Sequence, residues 1–215
     1  MGTSLFARFG GGMIAVIDYK AGNLTSVVKA LRFLGADDVV VTQKPEDVLR
    51  ADKIVLPGVG HFRSTQLLED LGLTSATREA VAVGRPFLGI CVGLQWLYAG
   101  STEAAGTKGL GHFAGECEHF PALHEGAELK SPHVGWNSLE DVRAGSRLLK
   151  GVKDGSFVYF THSWRAPVSA DTAASTMYGG AFTAAVERGN VMGVQFHPEK
   201  SAETGLKVLR NFLEF

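Results

Sequence analysis

Cysteine is scarce in this chain. Among its 215 residues only Cys91 and Cys117 carry a thiol. They lie in separate segments without C-x-x-C spacing, so neither a disulfide framework nor a zinc knuckle is indicated, and a reducing cytoplasm is the expected location. Surplus charge is missing too: 21 Lys and Arg against 22 Asp and Glu leave a net charge of −1. That balance argues against the basic footprint of a nucleic-acid binder and against attraction to an anionic membrane surface. No apolar run approaches the roughly 20 residues needed to cross a bilayer. No G-K-[ST] is present for a P-loop, and Gly109-Leu110-Gly111 lacks the third glycine of a dinucleotide fingerprint, so no nucleotide or other cofactor is expected. His112, Glu116, Cys117, Glu118, His119 and His124 crowd one segment, but their spacing fits no compact zinc site, and no metal is expected. Internal repeats and low-complexity tracts are absent as well.

What remains is one domain's worth of alternating strands and helices. Residues 1–12 end in a glycine triplet, carry no secretory apolar core and read as a disordered extension, leaving 13–215 as the domain. Met13 to Ile17 reads as a buried strand, and Asn23 as the cap of a helix with Val27, Ala30, Leu31 and Leu34 at helical spacing before Gly35 stops it. Val39 to Val41, Ile54 to Leu56 and Pro86 to Leu88 read as further strands, with helices over Ser64 to Leu71 and Thr74 to Val83 between the last two. Strand and helix alternating in this way predict an α/β fold: a doubly wound, mostly parallel sheet with flanking helices. The stretch from about Gly109 to Glu187 is richer in glycine and short β-like runs, notably Phe157 to Phe160 and Ala181 to Val186. It is expected to add an antiparallel edge to the same sheet. Val191 to Val194 reads as a central strand, and Ala202 to Phe215 as a helix with Leu206, Leu209, Phe212 and Leu213 facing the core.

The most informative segment is Gly89-Ile90-Cys91-Val92-Gly93, directly after an apolar strand. A strand that turns sharply into a helix raises the residue at its apex clear of the sheet towards solvent, and needs glycine on both sides where a Cβ would collide. The helix that follows aims free N–H groups and its positive dipole end at the sulfur, which favours thiolate. Cys91 is therefore the candidate nucleophile. Pro57-Gly58-Val59-Gly60, bare of large side chains after another strand, could turn backbone N–H groups towards it. With the Val92 N–H, those of Gly58 and Val59 make a candidate oxyanion hole. Gln95, one helical turn past Cys91, falls on the same face.

A base and a carboxylate stand in Gln195-Phe196-His197-Pro198-Glu199-Lys200. If the chain stays extended there, residues two apart share a face and bring Glu199 beside His197, fixing its tautomer and stabilising the imidazolium. A thiol, an imidazole and a carboxylate predict nucleophilic cleavage of an acyl bond.

Taken together, Gly89-Ile90-Cys91-Val92-Gly93-Leu94-Gln95 and His197-Pro198-Glu199 resemble the class I (triad) glutamine amidotransferase family. Asp18-Tyr19-Lys20-Ala21-Gly22-Asn23, Pro57-Gly58-Val59-Gly60, Pro132-His133-Val134-Gly135-Trp136-Asn137 and Tyr159-Phe160-Thr161-His162-Ser163 resemble the branch that serves histidine biosynthesis. The resemblance implies that Cys91 attacks the glutamine side-chain amide, that His197 protonates departing ammonia and then activates water, and that Glu199 holds His197. It implies glutamine contacts from Gln95, Glu103, Ser163 and Trp164. It also implies a heterodimer in which ammonia passes to a (β/α)8-barrel cyclase, faced by Asn23, Trp136, Asn137, Tyr159 and Lys200. Lys20 departs from the family pattern where a glycine is common, and Trp164 where tyrosine is. The alternatives are the glutaminase of another synthase, such as the one making pyridoxal phosphate, or a binding module that kept the fold and lost activity.

Overall fold

A computed structural model describes residues 12–20 and 24–215 of the chain. Its centre is a seven-stranded sheet in the order Thr172–Met177, Ala181–Arg188, Val191–Val194, Phe87–Cys91, Lys53–Gly58, Ile14–Ile17, Val39–Thr42. The five strands from Val39–Thr42 to Val191–Val194 run parallel; Ala181–Arg188 pairs antiparallel with both of its neighbours, so Thr172–Met177 at the edge points the same way as the five. Ile14–Ile17, Phe87–Cys91 and Val191–Val194 are buried at every position, as expected of parallel strands covered on both faces. Helices Leu24–Phe33, Pro45–Arg50, Gln66–Asp70, Leu73–Ala82 and Ala202–Leu213 flank the sheet and bury their apolar residues in the same core. Each large side chain they bury stabilises the fold by ~1.5–3 kcal/mol. Residues 1–11 and the cap residue Asn23 fall outside the described residues, so the readings placed on them are not addressed. No helix among the described residues is long and apolar enough to cross a membrane.

The mostly parallel α/β sheet agrees with the sequence reading, as does the antiparallel edge formed by Ala181–Arg188 and Thr172–Met177. Phe157–His162 differs. Instead of joining that edge it pairs with His133–Ser138 in a separate two-stranded antiparallel ribbon, with Tyr159 opposite Trp136 and His162 opposite His133. The cause is its own alternation. Val158 and Phe160 are buried while Phe157 is exposed and Tyr159 half-buried. A one-sided strand suits a ribbon laid across a core better than a sheet buried on both faces. The inner face of the ribbon meets the sheet through aromatic contacts of Phe160 with Phe182 and Phe196.

The ribbon also holds the segment beyond Val191–Val194. The Tyr159 carbonyl accepts from the His197 N–H at 2.9 Å, and the Ser201 hydroxyl accepts from the Tyr159 N–H at 2.9 Å. That hydroxyl donates to the His197 carbonyl at 2.7 Å. On the other side Gly205, in the C-terminal helix, lies so close to Pro198 that a Cβ would run into its carbonyl. Ribbon and helix together fix the backbone of His197.

Candidate active site

Cys91 ends its strand at φ 54° and ψ −108° and caps the helix Val92–Trp96. A non-glycine residue with positive φ costs of order 1–3 kcal/mol, and such strain persists only where the surroundings enforce it. They do here: a Cβ on Gly89 would meet the Gly93 carbonyl, and one on Gly93 the Leu56 carbonyl. The glycines on either side of Cys91 are thus demanded by the turn itself. The expected exposure of the sulfur is corrected, however. Cys91 is only 3% exposed and opens into a cavity of about 240 Å³, because the ribbon end and the Val59-Gly60 segment wall it in.

His197 and Glu199 meet as expected but by another route. Pro198–Lys200 forms a turn of 3-10 helix rather than extended chain, since the fixed φ of Pro198 suits a first helical position. Glu199 bends back from that turn, and its Oε1 lies 2.9 Å from His197 Nδ1, with both side chains almost fully buried. The His197 Nε2, buried and without a hydrogen-bond partner of normal geometry, is left to Cys91. Burial works against the charged ring. The Cys91 sulfur and the Glu199 carboxylate outweigh it and hold the imidazole well above its ordinary pKa. The arrangement therefore favours an imidazolium beside the sulfur, ready to donate a proton.

The other predicted residues distribute around the same cavity. Val59, Val92, Gln95, Glu103, Ser163 and Trp164 all line it, and Gly58 pairs with Cys91 in the last rung of the sheet. Gly58 is needed there because a Cβ would strike the Tyr19 hydroxyl. Glu103 is anchored by the Phe62 N–H at 2.7 Å, and Trp164 Nε1 donates to the Thr102 hydroxyl at 3.2 Å. Gln95 turns its Nε2 to the Trp164 carbonyl at 2.9 Å and to Gln195 Oε1 at 3.2 Å. Its Oε1 is the polar atom left for a ligand.

Trp136, Tyr159 and Lys200 share the outer face of the ribbon. Trp136 is 52% exposed and meets the Tyr159 ring edge-on, while Lys200 Nζ lies 5.9 Å over that ring. Asn137 stands on the opposite face, because strand neighbours alternate. Its side chain donates to the Met177 carbonyl at 3.1 Å and reaches His133 Nε2 at 3.3 Å.

Sequence reasoning passed over His133, His162, Gln195 and Tyr19. The two histidines form a buried pair: His133 Nδ1 meets His162 Nε2 at 3.3 Å, and His162 Nδ1 donates to the Trp164 carbonyl at 2.8 Å. Burial drives the pKa of His162 down to about 3 and that of His133 to about 4. In the unfolded chain both titrate near ~6.5. Below that pH the unfolded state takes up protons that the folded state refuses, so stability falls as pH drops towards 4. Each ring then contributes up to ~1.4 kcal/mol of loss per pH unit. His197, shifted upward, is already protonated in the folded state at pH 7 and gains its proton in the unfolded state only as pH falls through ~6.5, so it offsets a smaller part of this loss near pH 7 and adds no slope well below that. Urea unfolding is expected to give a protein at least ~2 kcal/mol less stable at pH 5 than at pH 7; equal stability would contradict the neutral pair.

An open, mostly parallel sheet with a thiol at a strand-to-helix elbow, and an imidazole and carboxylate delivered from the end of the next strand, defines a cysteine-nucleophile acyl-transfer enzyme of the α/β class. Comparison narrows this. The description of the glutamine amidotransferase class-I family matches residues 15–215, and the chain belongs to that family. It is similar to imidazole glycerol phosphate synthase subunit HisH of Methanosarcina acetivorans, at 46% identity over 94% of this chain and 98% of that one. The protein of the same name from Aquifex aeolicus is 44% identical over 92% of this chain and 94% of its own. A solved glutamine amidotransferase shares the fold at a TM-score of 0.72 and 20% identity, covering 94% of this chain and 98% of that one.

Proposed function

We propose that this chain is the glutaminase subunit of an imidazole glycerol phosphate synthase. It hydrolyses glutamine to glutamate and ammonia, and the ammonia feeds the cyclase partner in histidine biosynthesis. The single observation that carries the chemistry is the contact of Cys91, which lines the cavity, with the imidazole of the His197–Glu199 pair behind it. Relatives at 42–47% identity, each matching nearly the whole chain, favour this synthase over a pyridoxal phosphate synthase. The complete thiol, imidazole and carboxylate set speaks against an inactive binding module.

In this reading the Cys91 thiolate attacks the side-chain carbonyl carbon of glutamine. The resulting oxyanion is held by the Val92 N–H and those of Gly58 and Val59, each donor being worth ~3 kcal/mol in the transition state. His197 gives its proton to the amide nitrogen, the C–N bond breaks, and ammonia leaves a γ-glutamyl thioester on the sulfur. His197 then removes a proton from water, which attacks the thioester; the C–S bond breaks and glutamate departs. Glu199 keeps the ring oriented throughout. Glu103 takes the substrate ammonium, and Gln95, Ser163 and Trp164 complete its pocket. No cofactor or metal takes part.

The partner is a cyclase subunit built as a (β/α)8 barrel, in a heterodimer located in the cytoplasm. Trp136, Tyr159 and Lys200 form the centre of the docking face. An exposed tryptophan stacked against a tyrosine is the kind of anchor that dominates interface energies. Asn137 supports that face from behind, and the family resemblance adds Asn23 to the partner contacts. Glutamate release should be slow from this chain alone and rise at least ~10-fold when cyclase and its ligand are added, a coupling of ~1.4 kcal/mol. Trp136→Ala should weaken the complex about 30-fold, or ~2 kcal/mol, while Cys91 alkylation stays as in the wild type. No glutamate release even in the full complex would overturn the reading.

A further inference from the structure

Gln195 occupies the residue between the end of Val191–Val194 and the segment that delivers His197. It is a fully buried polar side chain following a strand with no polar side chains. Burying a primary amide is costly unless its hydrogen bonds are met, so its partners indicate what it does. Its Nε2 approaches the Cys91 sulfur at 3.5 Å, within hydrogen-bond range for sulfur. Its Oε1 accepts from Gln95 Nε2, which also binds the Trp164 carbonyl. Its own N–H donates to the Ala184 carbonyl at 2.8 Å.

We propose that Gln195 is a further catalytic residue, a neutral hydrogen-bond donor to the Cys91 sulfur, held in orientation by Gln95. The proposal rests on the thiolate chemistry above, and it concerns the sulfur whatever acyl group it carries. An amide carries no charge that could compete with the imidazolium, and its acceptor end is occupied by Gln95, so only its N–H face meets the sulfur. Such a bond matters when the sulfur is negative: in the resting thiolate, and again when water has added to the thioester and the C–S electron pair returns to sulfur. It weakens while the sulfur is acylated. Gln195 should therefore act on thiolate formation and thioester breakdown, and much less on glutamine binding. The titratable side chains around the sulfur are His197 and Tyr19, with Glu103 and His162 lining the same cavity. None is altered by the variants used to test the idea.

The test is Gln195→Met, which keeps length and volume and removes the donor, in the full chain and with its cyclase. Iodoacetamide alkylation of Cys91 is followed by peptide mass spectrometry across pH. Cys117 is fully buried with its thiol pushed well up, so it does not compete. The pH of half-maximal alkylation is expected to rise by about one unit or more. Glutamine kcat should fall roughly 10-fold or more, with KM changed less than threefold. Gln95→Met, which frees the Gln195 amide to turn, should move the midpoint in the same direction by less, and it keeps the proposal testable if Gln195→Met fails to fold. An unmoved alkylation midpoint in the folded variants would overturn the proposal even if turnover fell, since a structural role alone lowers activity without changing thiol titration. If the midpoint moves while the wild-type complex releases no glutamate, the contact to sulfur stands and the glutaminase reading fails.

Discussion

Cys91→Ala should reduce glutamine turnover by at least ~10⁴-fold, because the nucleophile cannot be replaced by proximity alone and the rest of the site retains only residual catalysis. The substitution removes one sulfur from a cavity wall and leaves the ribbon, the His197–Glu199 pair and the outer face untouched. Thermal unfolding and cyclase binding should therefore stay close to wild type. Relief of the strained φ of 54° is not achieved by alanine, which also has a Cβ, so Cys91→Gly should be more stable than Cys91→Ala while equally inactive. Turnover by Cys91→Ala within tenfold of wild type would remove the thiol from the mechanism.

Gly93→Ala is expected to be among the most damaging single-methyl changes in the fold. The added carbon would be driven into the Leu56 carbonyl, a backbone atom of the adjacent strand that cannot swing aside as a side chain can. Separating strand and helix to make room would break the ladder in which Gly58 pairs with Cys91 and Leu56 with Gly89. The cost should be about 3 kcal/mol or more, at the upper end of what overpacking produces. Activity should fall even at temperatures where the variant is folded, because the elbow sets the direction of the sulfur. Gly84→Ala makes a useful contrast. Gly84 has a positive φ of 89°, unlike Gly93, but a Cβ there meets nothing within 4 Å, so only the conformational strain of about 1 kcal/mol is expected. Both are read by chemical denaturation, and equal losses would show that the close approach to Leu56 is not what selects glycine.

Much of this was legible in the sequence because the chemistry is written in local patterns. The two glycines around Cys91 encode a turn whose crowding is intrinsic to strand-to-helix geometry, and the parallel strands announce themselves as short apolar runs. His197 and Glu199 do meet, but not through the geometry that their spacing suggests. Spacing of two suggested extended chain, whereas Pro198 starts a 3-10 turn and the carboxylate returns to the ring from there. The place of the ribbon is hard to read from sequence because Phe157–His162 is β-like in either setting, and only its alternation of buried and exposed positions separates a ribbon from a sheet edge. Cys91 was expected to be more exposed than it is, since a motif fixes the turn but not the loops that later roof it.

Contacts between distant segments were the least visible. Gln195 reaches the sulfur and Gln95 across about a hundred residues of chain, and His133 and His162 meet across the ribbon; nothing local marks either pairing. A faint signal existed for Gln195, a polar residue at the end of an apolar strand and two places before the base. Lys20 is the converse case. The resemblance leads one to expect glycine there, and the backbone would suit it: Lys20 has a φ of 61°, where a Cβ is strained. Its N–H bond to Asp18 Oδ1 at 2.8 Å helps to hold that conformation.

The central claim is that amide cleavage passes through a covalent bond to one sulfur. Rapid acid quenching of the complex during glutamine turnover, followed by peptide mass spectrometry, tests it most directly. A γ-glutamyl adduct should appear on the peptide containing Cys91 and not on the one containing Cys117, rising before steady glutamate release begins. Glutamate release at full rate with the Cys91 peptide never modified, or an adduct on any other side chain, would contradict the account.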